Sequence, residues 1–259
     1  MGKDSIVALR HKVVQAINPF FDEFGIDPDT GILQKTRKAG KWRYAGYPHI
    51  GDKYAEMDVR VVIVGADLGE DVLRSSNTYL RFDGIDDIPN ACKSDHLPAF
   101  SECYAHMAGT YATVITVLKE GLTKELYNRI KGSRTARKAM RRLTDKVAKT
   151  ELIPFFSMTN AHKFVTIERK PKAGAENRVW IDKDKEYAFL KAELIALNPT
   201  VVCFQEPLSG DSLDSAQIED LKASLCDCVI IRLLHPSTRK KGGYLLKEDI
   251  EDKINEAII

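Results

Sequence analysis

The chain has 259 residues, of which 44% are hydrophobic and 29% charged, and a formal net charge of +2. Such a composition is ordinary for a globular protein, and the net charge argues neither for nor against a polyanionic partner. No apolar run approaches membrane-spanning length, and the five cysteines contain no CxxC pair that would indicate a zinc site. We therefore expect a cytoplasmic protein with reduced thiols, no metal and no membrane partner.

Apolar residues recur at helical spacing over residues 4–24, which predicts an N-terminal helix. Residues 25–57 are rich in glycine, aspartate and aromatic side chains and are predicted to be a loop. In this loop, aromatic residues alternate with Lys41 and Arg43. The aromatic rings can stack on nucleic-acid bases, although a lid packed on the core is the favoured interpretation. We expect one domain over residues 1–259, with 1–57 as an extension.

A β-branched run over residues 59–64 predicts a strand that is buried on both faces, as in a parallel sheet. The run ends at Gly65, where we expect a sharp turn that excludes a side chain. Asp67 follows, and ligands of open α/β sheets bind beyond the carboxyl ends of the strands. Asp67 is therefore a candidate for chemistry, the alternative being that it only caps a helix.

Further apolar runs alternate with helical patterns. The predicted strands are 152–159, 201–204 and 229–234, and the predicted helices are 101–120, 184–197, 214–225 and 246–258. This alternation predicts an α/β fold, a three-layer αβα sandwich around a four-stranded parallel sheet. Asn160 and His235 directly follow two of the strands, so they are expected at the same sheet edge as Asp67.

A basic segment lies between the first two strands. From Arg129 to Lys149 the chain holds nine basic residues and one acidic residue, Asp145. Two helices are predicted here, and the second carries Arg137 and Arg141 among closely spaced basic side chains. These side chains can face a phosphate backbone, or they can belong to a solvated surface helix.

Three sequence motifs, taken together, resemble those of the uracil-DNA glycosylase superfamily. The sequence GADLGE at residues 65–70 resembles its first motif, and LHPS at 234–237 resembles its second. Between them, residues 156–163 resemble the strand that carries the base-reading asparagine, and residues 187–202 resemble the helix and strand that follow it. The ordered set covers residues 57–245. The resemblance implies a uracil-DNA-glycosylase-like sandwich.

The resemblance also assigns roles to individual residues. Asp67 and His235 are expected to be catalytic, the first stabilising the sugar cation and the second the departing base. Asn160 is expected to bind the flipped base, and Tyr79 or Phe82 to stack on it. Further DNA contacts are expected from a mainly basic set of side chains: Lys163, Ser237, Arg239, Lys240 and Lys241, with Arg137 and Arg141 from the basic helix.

The sequence departs from the superfamily pattern at three positions. Leu68 stands where a proline is usual, and Ala66, which we count among the base-binding residues, replaces a glutamine or glutamate. Phe164 stands where the iron–sulfur branch has a cysteine, so we expect no cluster and no cofactor. These changes leave the identity of the excised base open.

We therefore expect a monofunctional DNA glycosylase that acts as a monomer. It would extrude uracil or a modified pyrimidine, including a hypermodified phage cytosine, and hydrolyse the N-glycosidic bond to leave an abasic site. The setting would be base-excision repair or phage defence. One alternative is an inactive relative that binds DNA or modified bases. Another is an unrelated α/β enzyme acting on nucleotides, although the chain has neither a Walker A motif nor a GxGxxG motif.

Overall fold

The structure is a computed structural model. It describes residues 3–27, 31–36, 42–44, 46–65, 110, 113–114, 117–118, 153–166, 180–206, 213–234, 239–240 and 243–244. The longer helices in these ranges are α1 (Lys3–Phe24), α2 (Lys183–Leu197) and α3 (Ser215–Ser224). The strands are β1 (Trp42–Tyr44), β2 (His49–Ile50), β3 (Val61–Gly65), β4 (Phe156–Asn160), β5 (Phe164–Thr166), β6 (Val201–Glu206), β7 (Val229–Leu234), β8 (Arg239–Lys240) and β9 (Gly243–Tyr244).

The central sheet has five strands in the order β2-β4-β3-β6-β7. Strands β4, β3, β6 and β7 are mutually parallel, which confirms the predicted α/β class and its four parallel strands. The fifth strand, β2, pairs antiparallel with β4 at the edge. It comes from the region predicted to be a loop, because two residues are too few to produce a periodic signal.

Burial along the strands follows their positions in the sheet. All five residues of β3 are buried, as expected for a central strand covered on both faces. Strand β7 lies at the edge, and Arg232 and Leu234 on it are exposed while Ile231 and Leu233 are buried. The continuous β-branched run therefore correctly predicted the sheet centre.

The strand order contains a topological switch point. From β3 the chain passes to β4 on one side of it, and later returns to β6 on the other side. In open α/β sheets the crevice beyond the carboxyl ends of strands at such a point is the usual ligand site. Here it lies beyond Gly65 and Glu206, with Asn160 at the end of the adjacent strand.

The N-terminal extension packs on the domain. Helix α1 contributes Ile17 and Phe24 to an aromatic cluster, and β1 pairs antiparallel with β5. Trp42 and Tyr44 of β1 are 5% and 1% exposed and belong to the same cluster. The interpretation of these aromatic residues as a lid packed on the core is therefore confirmed, and their rings are not free to stack on bases.

After β7, strands β8 and β9 form an antiparallel hairpin in which Lys240 is paired with Gly243. The predicted basic helices over 122–149 and the closing helix over 246–258 lie outside the described residues. Within the described part of the chain, no helix combines the length and the apolar character needed to cross a membrane.

Candidate functional site

The adjacent ends of β3 and β4 bring Gly65 against Asn160. The two residues are paired in the parallel register, and the backbone N–H of Ala161 donates to the Gly65 carbonyl at 2.8 Å. A Cβ atom on Gly65 would stand 2.9 Å from Asn160 Oδ1. Gly65 is not among the glycines with a positive φ angle. The close approach of the Asn160 amide is therefore a reason for a glycine here, and the turn expected after Gly65 lies outside the described residues.

The Asn160 amide oxygen is a buried acceptor without a described donor at this edge of the sheet. Its Oδ1 atom is buried and accepts no hydrogen bond from any described residue. An unsatisfied buried acceptor costs about 1–3 kcal/mol, and a ligand or water that donates to it removes this penalty. The site therefore presents a pre-positioned acceptor at the end of a rigid strand.

The predicted catalytic residues follow the ends of two other strands in the sequence. Asp67 comes two residues after Gly65, the last residue of β3, and His235 directly follows Leu234, the last residue of β7. Neighbouring strands lie about 5 Å apart, so the ends of β3 and β7 are roughly 10 Å apart across β6.

Several predicted site residues lie outside the described part of the chain: Ala66, Asp67, Tyr79, Phe82, Arg137, Arg141, His235, Ser237 and Lys241. Arg239 and Lys240 lie in β8, of which only the backbone is described. The structure thus locates Asn160 and Lys163 with their side chains, and leaves the roles of the other predicted residues as predictions.

The structure corrects the prediction for Lys163. Its side chain is only 2% exposed and forms an ion pair with Glu193, which is fully buried. The ammonium group also donates to Thr159 Oγ1 at 2.9 Å and lies 5.4 Å from the centre of the Phe189 ring. Burial lowers the pKa of Lys163, and the Glu193 carboxylate opposes that shift. Because it is engaged inside the core, Lys163 is not a DNA contact.

A second buried carboxylate, that of Glu186, joins the turn after β4 to the start of α2. It accepts hydrogen bonds from the backbone N–H groups of Lys163 at 2.9 Å, Ile181 at 2.6 Å and Asp182 at 3.3 Å. Burial raises the pKa of Glu186 to about 7, while these hydrogen bonds oppose the rise. Glu186 was not among the predicted site residues.

A signal for these acids does exist in the sequence. Glu186 and Glu193 are seven residues apart on α2, so they share a helix face with the buried Leu190. Acidic residues on an apolar face indicate buried charges that need partners. The spacing of these two acids does not identify the residues that pair with them.

Between Asn160 and Lys163 lies His162, which is also buried. Its ring packs against that of Trp180 in a tilted arrangement, with a centroid distance of 4.0 Å. Among the described residues, no group of three or more His, Cys, Asp or Glu side chains could hold a metal ion.

Comparison of the chain with protein-family models and with curated proteins finds no match.

Proposed function

We propose that this protein is a monofunctional DNA glycosylase that releases uracil or a modified pyrimidine from DNA. The observation that supports the proposal best is the buried Asn160 Oδ1, an acceptor without a described donor at the end of a rigid strand. It stands beside the switch point of a parallel sheet, where the ligands of such folds bind. We further propose a uracil-DNA-glycosylase-like three-layer sandwich, and action as a cytoplasmic monomer.

The chemistry of an amide suits the edge of a pyrimidine. Uracil carries an N3–H donor beside carbonyl acceptors, whereas cytosine carries an N4 amino donor beside an N3 acceptor. The Asn160 amide has both an acceptor oxygen and a donor nitrogen, so it can pair with either base. A base inside a duplex cannot reach an amide at the end of a buried strand, and it must first be rotated out of the stack.

Cleavage of the glycosidic bond leaves positive charge on the sugar and negative charge on the base. We assign the first charge to Asp67, whose carboxylate would stabilise an oxocarbenium-like sugar and orient the attacking water. We assign the second to His235, which would donate a hydrogen bond to the departing base. Removing one such pre-organised contact lowers a rate on the order of 10²–10³-fold.

The proposed DNA contacts lie on the segment after β7 and on the basic segment over residues 129–149, which the sequence predicts to be helical. The β8–β9 hairpin carries Arg239 and Lys240, and Ser237 and Lys241 flank β8 in the sequence. Basic side chains and hydroxyl groups of this kind hold phosphates and thereby fix the register of the duplex.

A second candidate function is that of an inactive relative that binds DNA or modified bases. It is favoured by Ala66 and Leu68, which replace residues of the first motif. The two functions differ in product, because a binding protein leaves no abasic site. The setting, repair or phage defence, would follow from which base is released.

The test is mass spectrometry of free bases released by the purified protein. The DNA panel carries uracil, deaminated purines, and hydroxymethylated or glucosylated cytosine, in single and double strands. We expect release of one pyrimidine, lost in Asp67→Ala and reduced at least about 10²-fold in Asn160→Ala.

Glu219→Ala is the matched control, because it removes an exposed carboxylate whose ion-pair partner among the described residues is Lys222 on the same helix. We expect it to keep wild-type release. Tight binding of one of these DNAs without any released base would favour the second candidate function, and activity that survives in Asp67→Ala would remove Asp67 from the catalytic role.

A further inference from the structure

The turn after β4 is held by a set of buried polar groups that the proposed chemistry does not use. We define the Lys163 cluster as Thr159, Lys163, Glu186 and Glu193, which are all buried. Two of its members precede or follow Asn160 in the chain, and the other two lie on α2. The cluster therefore connects the backbone on both sides of Asn160 to a single helix.

The contacts of the cluster involve the residues on either side of Asn160 and not the Asn160 amide itself. Thr159 is adjacent to Asn160 in β4, so their side chains point to opposite faces of the sheet. Lys163 binds the Thr159 hydroxyl from that opposite face and ties it to Glu193. Meanwhile Glu186 holds the backbone N–H of Lys163. These contacts therefore fix the backbone at the end of β4 from the sheet face opposite the Asn160 amide.

The stability that such a cluster supplies does not explain its presence. Removing an ammonium and carboxylates from water is costly, and well-packed apolar residues often replace a buried ion pair without loss of stability. What a buried ion pair does supply is geometry, because each charge must meet its partner in one arrangement. Glu193 Oε1 also has no hydrogen-bond partner among the described residues, so the cluster is not optimised for stability alone.

We propose that Lys163, Glu186 and Glu193 are positioning residues that hold Asn160 at its base-reading position. The expected effect on the reaction rate rests on the proposed function. The expected effect on the position of Asn160 rests on the geometry of the turn alone. Without the cluster, the end of β4 can rotate, and the Asn160 amide leaves its place beside Gly65. A misplacement of about 1 Å at a reacting site lowers a rate on the order of 10²-fold.

The main test is the double variant Lys163→Met with Glu193→Leu, which replaces the pair by apolar side chains of similar size. We expect kcat for release of the preferred base to fall on the order of 10- to 100-fold, with KM for the DNA within about twofold of wild type. The control is Lys191→Met with Asp220→Asn, which removes an exposed ion pair between α2 and α3. The control variant should keep both constants.

A second readout does not depend on activity. The side-chain NH₂ signals of Asn160, assigned by their loss in Asn160→Ala, should shift or broaden in the double variant and stay in place in the control. Thr159→Val provides a milder variant that keeps the ion pair and removes only the hydroxyl anchor. It should shift the same signals in the same direction. This variant also provides the measurement if the double variant does not fold.

The outcomes separate the two proposals. Unchanged Asn160 signals in the cluster variants overturn the positioning role, whatever happens to kcat. A wild-type kcat in a double variant whose signals have moved overturns it as well. If the wild-type protein releases no base from any DNA, the proposed function fails, and the NMR signals alone still decide whether the cluster positions Asn160.

Discussion

Asn160 Oδ1 occupies the space that a side chain on Gly65 would need, since a Cβ atom there would stand 2.9 Å from it. The two residues are paired across β3 and β4, at the switch point of the sheet. The absence of a side chain on one strand thus makes room for the amide that we propose reads the base on the next.

Gly65→Ala should therefore impair function more than stability. The added methyl group meets the end of a side chain, which can move away, so we expect a loss of stability near the lower end of the roughly 1–3 kcal/mol that overpacking costs. The displaced amide should lower base release at least about tenfold. Urea unfolding and single-turnover assays measure the two effects.

Gly51→Ala is the contrasting variant. A Cβ atom at Gly51 meets the backbone of Ile153 and Pro154, which cannot move without shifting the start of β4. We expect it to lose more stability than Gly65→Ala. If the two variants lose equal stability, the interpretation that Gly65 leaves room for the Asn160 amide is wrong.

Asn160→Ala should lower activity without lowering stability. The substitution removes a buried acceptor without a described donor, so the free energy of unfolding should stay the same or rise, by up to about 1 kcal/mol. Base release should fall on the order of 10²-fold, because the base loses its pairing contact. A large loss of stability would instead identify Asn160 as a structural residue.

The pH dependence of the free energy of unfolding should reflect the titration of the Glu186 carboxyl group. Burial raises its pKa to about 7 from an ordinary value of 4.5, so between these values the folded chain binds more protons than the unfolded chain. The free energy of unfolding should therefore fall as pH rises from about 4.5 to 7. The fall is at most about 3.5 kcal/mol, since one pKa unit corresponds to about 1.4 kcal/mol.

Urea unfolding at several pH values, with Glu186→Gln as the comparison, isolates this contribution. The variant should show a flatter dependence over the same window, because a glutamine does not titrate. Asp214 and Asp220 do not interfere, since their partners hold the pKa of each below its ordinary value of 3.8. Parallel curves for wild type and Glu186→Gln would assign the dependence to another group.

Removing one partner of the Lys163–Glu193 pair should be worse than removing both. Lys163→Met leaves the Glu193 carboxylate buried without its cation, which we expect to cost about 3–5 kcal/mol. The double variant with Glu193→Leu should recover most of that loss. Chemical unfolding of the two variants gives the difference, and a single variant as stable as the double would show that water compensates the carboxylate.

The sequence by itself determined the parallel core and the residues at its edge. The β-branched run before Gly65 predicts a strand at the sheet centre, because a strand that is buried on both faces carries apolar residues at successive positions. The alternation of such runs with helices predicts the parallel sheet. Asn160 was placed at a strand end for the same reason. These are local signals, carried by neighbouring residues in the chain.

Only the tertiary structure decided what each of these residues contacts. Lys163 was expected at DNA and is instead buried against Glu193, thirty residues away in the sequence. Gly65 was singled out as the end of a strand, and the structure shows that it also leaves room for the Asn160 amide of the neighbouring strand. A lysine or glycine has the same local signature in either role, because burial and close approach depend on partners distant in the chain. Asp67 and His235 remain predictions from their places after strand ends.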